Sequence, residues 1–200
     1  TIPSQTKPVG PALNVPGTLD TGAATLNLGA ADDTLTLHDG AVIAGTGIDA
    51  GGGTTDNLIV DNAASYIYDG TGIAGFERLT KRNTGVLTTT GTQAFSAGTA
   101  IEAGTLAVDG ALATPNVAMS DSTTLSADGT VEGAGSTTAT LTGSAGLNAI
   151  EVNAGAMLRA SGDLADGNDT IVVSGMLDTG AGVLSLGAGD DSLTLRDGAV

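Results

Sequence analysis

Short strands of alternating character, each closed off by Gly, Asp or Asn, return along this chain at a nearly regular interval. They read TLTL (34–37), NLIV (57–60), TLAV (105–108), TLSA (124–127), AIEV (149–152), TIVV (170–173) and SLTL (192–195). With Leu87 added, their first apolar residues are Leu35, Leu58, Leu87, Leu106, Leu125, Ile150, Ile171 and Leu193. The gaps are 23, 29, 19, 19, 25, 21 and 22 residues. A recurrence of about 20–25 residues is the mark of a solenoid. No coil can bury its own apolar edge, so stacking must bury it instead. The expected fold is all-β, a parallel β-helix of about eight or nine coils spaced about 4.8 Å apart, on the order of 40 Å long. Leu35, Leu58, Leu106, Leu125, Ile150, Ile171 and Leu193 are expected to point inward in one column.

One coil is written almost twice. LGAADDTLTLHDGAV (28–42) returns 158 residues later as LGAGDDSLTLRDGAV (186–200), with changes only at Ala31/Gly189, Thr34/Ser192 and His38/Arg196. Seven coils of 22 to 23 residues account for that offset. Within each copy, Leu26 and Leu28, or Leu184 and Leu186, precede the strand leucines by nine residues, so one coil holds two or three short strands. The antiparallel sandwich also has many short strands. It usually has large buried aromatics, and this chain has two Phe, two Tyr and no Trp. No helical periodicity survives the 32 glycines.

Residues 1–16 hold four of the five prolines (Pro3, Pro8, Pro11, Pro16) and are expected to be a linker or tail. Val200 falls inside the repeated sequence, so the chain is expected to be an excerpt of a longer protein. Coils are assigned to 17–78 and 107–200, continuing beyond the excerpt, with a distinct unit at 79–106 between them.

Charge excludes several functions. Twenty-two acids against six bases give a formal net charge of −16, with no basic stripe for nucleic acid. The acidity suits solubility of an elongated chain. There is no cysteine, which excludes a disulfide framework and thiolate chemistry. No apolar run approaches the roughly 20 residues that span a bilayer.

Residues 76–106, FERLTKRNTGVLTTTGTQAFSAGTAIEAGTL, resemble the passenger-associated transport repeat, also called the autotransporter-associated β-strand repeat. The matching positions are Leu79, Thr80, Lys81, Gly85, Leu87, Gly91, Phe95, Gly98, Thr99, Ile101, Gly104 and Leu106. Asn83, Thr89 and Ala97 depart from the pattern. Asn83 can still adopt positive φ, whereas Ala97 cannot do so cheaply. The resemblance implies a bacterial type V secretion passenger, a right-handed β-helix exported to the cell surface or secreted after a transient periplasmic stage. Its implied partners are its own C-terminal β-barrel translocator, outside this excerpt, and the outer-membrane assembly machinery. The repeat itself is associated with efficient secretion. A non-catalytic secretion module is the expected function. An adhesive surface for host cells or matrix is the alternative, and a calcium-binding repeat module ranks third. A monomer is expected, with no cofactor and no membrane span.

The acidic turns carry the calcium question. GAGDDSLTL matches the calcium nonapeptide at Gly187, Gly189, Asp191 and Leu193, DGNDTIV at Gly167, Asp169 and Ile171, and GAADDTLTL less well because of Ala31. These units do not run in tandem, and one turn offers about three of the roughly six to eight oxygens that calcium takes. They are read instead as corners where Asp and Asn hydrogen-bond to backbone. His38, the single histidine, is replaced by Arg196 in the twin and reads as a solvated outward residue, not a general base. Tyr66 and Tyr68 are assigned to packing or hydrogen bonding at a coil edge. Arg78, Lys81 and Arg82, beside Glu77, are read as a surface patch of weak ion pairs. No catalytic or metal residue is assigned.

Overall fold

The computed structural model describes residues 9–200. They form an all-β parallel solenoid of about nine turns, with no helix. Each coil runs through three walls. The first wall stacks Val9–Val15, Asp32–His38, Asn57–Asp61, Arg78–Arg82, Gly98–Ile101, Asn116–Met119, Ala139–Thr142, residues 160–163 and Leu184–Ser185 in one unbroken ladder. The second wall stacks Tyr66–Tyr68, Val86–Thr89, Thr105–Val108, Thr123–Ala127, Asn148–Val152, Thr170–Val173 and Ser192–Leu195. The third stacks Thr92–Ala94, Ala111–Ala113, Thr130–Glu132, residues 157–159 and Met176–Asp178.

The two later walls do not reach the first coils. There the second wall is a separate pair, Thr18–Asp20 with Val42–Ala44, and the third is a separate trio, Leu26–Asn27, Ile48–Asp49 and Ile73–Ala74. The cause lies in where the chain turns. After Val42–Ala44 it bends at once through Gly45 and Gly47 (φ 84° and 101°), but the next coil carries on through Tyr68 and bends at Gly70 and Gly72 (φ 78° and 69°). The second-wall ladder therefore breaks at this step, while the trio still spans it through Ile48 paired with Ile73, and the third wall breaks one coil later, before Thr92–Ala94.

The expected column is corrected into two. Leu35 stacks on Leu58 and Leu58 on Leu79 in the first wall. Leu87, Leu106, Leu125, Ile150, Ile171 and Leu193 stack in register in the second. The gap of 29 between Leu58 and Leu87 is thus one coil of 21 residues to Leu79 plus a corner of eight. The repeated sequence is displaced in the same way. Leu35 belongs to the first wall and Leu193 to the second, so 158 residues are seven coils plus one corner, not seven coils alone.

Residues 9–15 of the expected linker form a strand paired to Asp32–His38; residues 1–8 lie outside the described residues. Pro11 has no N–H to donate, and the register shifts between Val9 and Ala12, as befits an edge strand.

Candidate functional site

The transport-repeat residues build one coil and two walls of the next. Leu79, Leu87, Ile101 and Leu106 are fully buried in the core, Phe95 nearly so, and Thr99 stacks on Leu79. All twelve motif residues are buried except Gly91, which is exposed, and Gly104, which is half-buried. Gly91, Gly98 and Gly104 turn with φ of 64°, 104° and 73°, and Asn83 takes φ 62°, as its residue type allows. Ala97 avoids positive φ, because Gly98 supplies it. Gly85 is different. Its φ is ordinary, but a Cβ there would strike the carbonyl of Ala64 one coil below.

Lys81 corrects the reading of a surface patch. It takes an inward position between Val60 and Ile101, and its side chain is fully buried. The ammonium donates to the carbonyls of Arg82 (2.5 Å), Asn83 (2.6 Å) and Ala103 (3.2 Å). It thus closes the corner between first and second walls and ties two coils together. Burial lowers its pKa to about 8, against the opposing pull of Asp61 and Asp39. Arg82 does lie on the surface, with Nε donating to Glu102 Oε2 at 2.6 Å.

The acidic corners form ladders along the stack. The N–H of Asp33 donates to Asp56 Oδ1 (2.6 Å), and that of Asp56 donates to Glu77 Oε2 (2.8 Å). On the second wall, Asn148 N–H donates to Asp169 Oδ1 (2.8 Å), and Asp169 N–H to Asp191 Oδ1 (2.9 Å). Each acceptor sits two residues before an inward aliphatic residue and binds the backbone of the preceding coil. These are corner carboxylates bonded to backbone, as their residue type suggested, but the bonds cross between coils. Asp33 pays for its place: both carboxylate oxygens are buried without a hydrogen-bond partner among the described residues. Opposite it lie Gly10 and Pro11, where the ladder register slips. Burial, then Asp56 and Asp32, raise its pKa. Burial likewise raises that of Asp169, with Asp191 and Asp163 adding to it and the accepted Asn148 N–H opposing. Among the described residues, no group of three or more His, Asp or Glu side chains is placed to hold a metal ion.

His38 is on an outward position, with Nδ1 3.8 Å from Asp61 Oδ2 in the next coil. The aromatics gather at the step. Tyr66 Oη donates to the Ala41 carbonyl across it (2.9 Å), and Tyr68, Phe76 and Phe95 are buried around it. Two cavities of about 200 and 250 Å³ open there, the first beside Phe76, Gln93 and Phe95, the second beside Ile43, Tyr66 and Ile73. The clustering of all four aromatics within residues 66–95 was visible in the sequence, but no signal there linked it to a break in the side ladders.

Comparison of the chain with protein-family models, with curated proteins and with solved structures gives no match. Among the described residues, no helix is long and apolar enough to cross a membrane.

Proposed function

We propose that this chain is a non-catalytic solenoid segment of an autotransporter passenger, and that residues 79–106 seed its folding as it emerges at the cell surface. One observation carries the reading. The continuing ladder of the third wall begins at Thr92–Ala94, inside the repeat, and runs to Met176–Asp178, so the repeat holds the first coil to carry all three continuing walls. A coil of that kind is where a stack can start, because solenoid stability is close to a nearest-neighbour sum. Its inward residues are fully buried and its corner is locked by Lys81. Folding of the emerged part then supplies free energy that opposes sliding back. The resemblance of residues 76–106 to the transport repeat supports the same reading.

The test replaces Leu87 and Leu106 with Asp in the full-length protein and follows surface exposure over time with external protease. Each change buries an unpaired charge in a thin core, at several kcal/mol. Export is expected to slow, while adhesion per exported molecule is unchanged. Export at the unmodified rate, or adhesion lost with export intact, rejects the secretion role and leaves the adhesive surface as the better account.

A further inference from the structure

The break in the second wall leaves an opening inside the stack. Tyr66–Tyr68 pairs only with Val86–Thr89, and Val42–Ala44 only with Thr18–Asp20. The two unpaired strand edges meet at the cavity of about 250 Å³. Coils of this chain lie on both sides of it, so the opening does not arise at an end of the stack.

Its lining is one-sided in character. Ile43 and Ile73 are apolar walls, and Val42 and Ile67 stand at the rim, 51% and 69% exposed. Tyr66 and Tyr68 add two aromatic rings, and Asp69 is the one charged group on the lining. Hydrogen bonds from the Thr71 N–H (2.8 Å) and hydroxyl hold the Asp69 carboxyl below the usual carboxylate range, so it is ionised at neutral pH. Its charge is felt at both phenols: burial raises the pKa of each, and Asp69 adds to the rise. Tyr68 supplies a second, independent observation. It is only 6% exposed. Tyr66 spends its hydroxyl on the Ala41 carbonyl, but no hydrogen bond meets Tyr68 Oη among the described residues. A buried phenol normally has a partner.

We propose that this opening is a binding site for a primary alkylammonium group. The ammonium donates to the Asp69 carboxylate and to Tyr68 Oη, with the electron-rich face of the Tyr66 ring beside it. The alkyl stem covers Ile43 and Ile73 and passes out between Val42 and Ile67. Apolar walls with a few placed polar groups are the usual make-up of such a pocket. A neutral sugar would leave the carboxylate uncompensated, and an anion would be repelled by it. The net charge of −16 draws cations toward the surface. The same head and stem occur on a free alkylamine and on a lysine side chain of another protein. The proposal is independent of the export reading.

Tyr66 and Tyr68 are the only tyrosines and the chain has no tryptophan, so its intrinsic fluorescence reports on this site. The probe is n-butylammonium chloride, titrated into the 200-residue chain at constant ionic strength, with n-butanol as the neutral control. A saturable change in tyrosine emission is expected with the cation and none with the alcohol. Asp69→Asn keeps an acceptor for the Thr71 N–H and should weaken binding about tenfold, the scale of a hydrogen bond to a charged group. Tyr68→Phe should also weaken it, with Tyr66 still reporting. Glu151→Gln, an exposed acid elsewhere on the second wall, should leave it unchanged. Circular dichroism checks that the variants fold. A second arm uses a capped Gly-Lys-Gly peptide. Tighter binding of the peptide than of n-butylammonium assigns the site to a protein lysine, and the reverse assigns it to a free amine. Absence of a saturable response to both, an equal response to n-butanol, or undiminished binding by Asp69→Asn or Tyr68→Phe overturns the proposal. So does an equal loss in Glu151→Gln, which would mark diffuse attraction to the net charge.

Discussion

Leu106 and Leu193 occupy the same column of the second wall, and truncating each to Ala should separate cover from identity. Leu106 is fully buried and flanked in register by Leu87 and Leu125. Removing its isobutyl tip forfeits the transfer term and leaves a cavity, a loss of about 3–5 kcal/mol. The upper part of that range is expected, because the walls are held at fixed spacing by backbone bonds such as Thr124 N–H to Gly104 O (3.0 Å). They cannot close on the gap without breaking the ladder. In the 200-residue chain Leu193 shows 55% of its surface to water and is paired, among the described residues, on the Ile171 side alone, so its truncation there should cost about 1 kcal/mol or less. Urea denaturation followed by circular dichroism measures both. In a quasi-one-dimensional fold, loss at Leu106 should also split the transition and lower its apparent slope. Equal losses for the two variants would refute the column as described.

Lys81 gives a pH test. Its folded pKa, about 8, lies below the unfolded value, so the unfolded chain holds the extra proton between about pH 8 and 10.5. This residue's contribution to stability therefore rises with pH across that window. Lys81→Met should abolish that rise, and should destabilise the fold at pH 7 by leaving three corner carbonyls unbonded; an unchanged pH slope in calorimetry would reject the assignment. Asp33 works in the opposite sense. Its folded pKa is raised, so its neutral form is the favoured one, and stability is lost as pH climbs through that folded value. Asp33→Asn should raise the thermal midpoint at pH 7 and leave it nearly unchanged at pH 3; a lower midpoint at pH 7 would reject the unpaired-charge account.

Solenoid class and coil count were legible, because short turn-bounded strands at a steady interval allow few other folds. The wall assignments were not. The series of first apolar residues passed from Leu58 to Leu87 and skipped Leu79, hiding the change from first wall to second. Spacing reports coil length, but it does not say which corner a strand follows. Lys81 was misplaced for a related reason. Its neighbours Arg78 and Arg82 suggested a charged surface, yet alternation puts Lys81 inward with Leu79, and only the folded corner supplies the three carbonyls that make burial tolerable. The acidic turns were read correctly as corners. Their reach from coil to coil depends on residues 21 to 23 positions apart, a relation that no local motif contains.

Among the described residues the first wall is the only ladder that runs unbroken from the first coil to the last, and this divides labour between the walls. Coils here differ in length by several residues, and the surplus is taken up at corners and on the other two sides. The first wall acts as a keel to which sections of different beam are fastened. Such a body can gain or lose a loop, or break a side ladder, without re-aligning the strands that hold it in line. Bending should concentrate over the two coil junctions at which a side ladder breaks, between Val42–Ala44 and Tyr66–Tyr68 on the second wall and between Ile73–Ala74 and Thr92–Ala94 on the third.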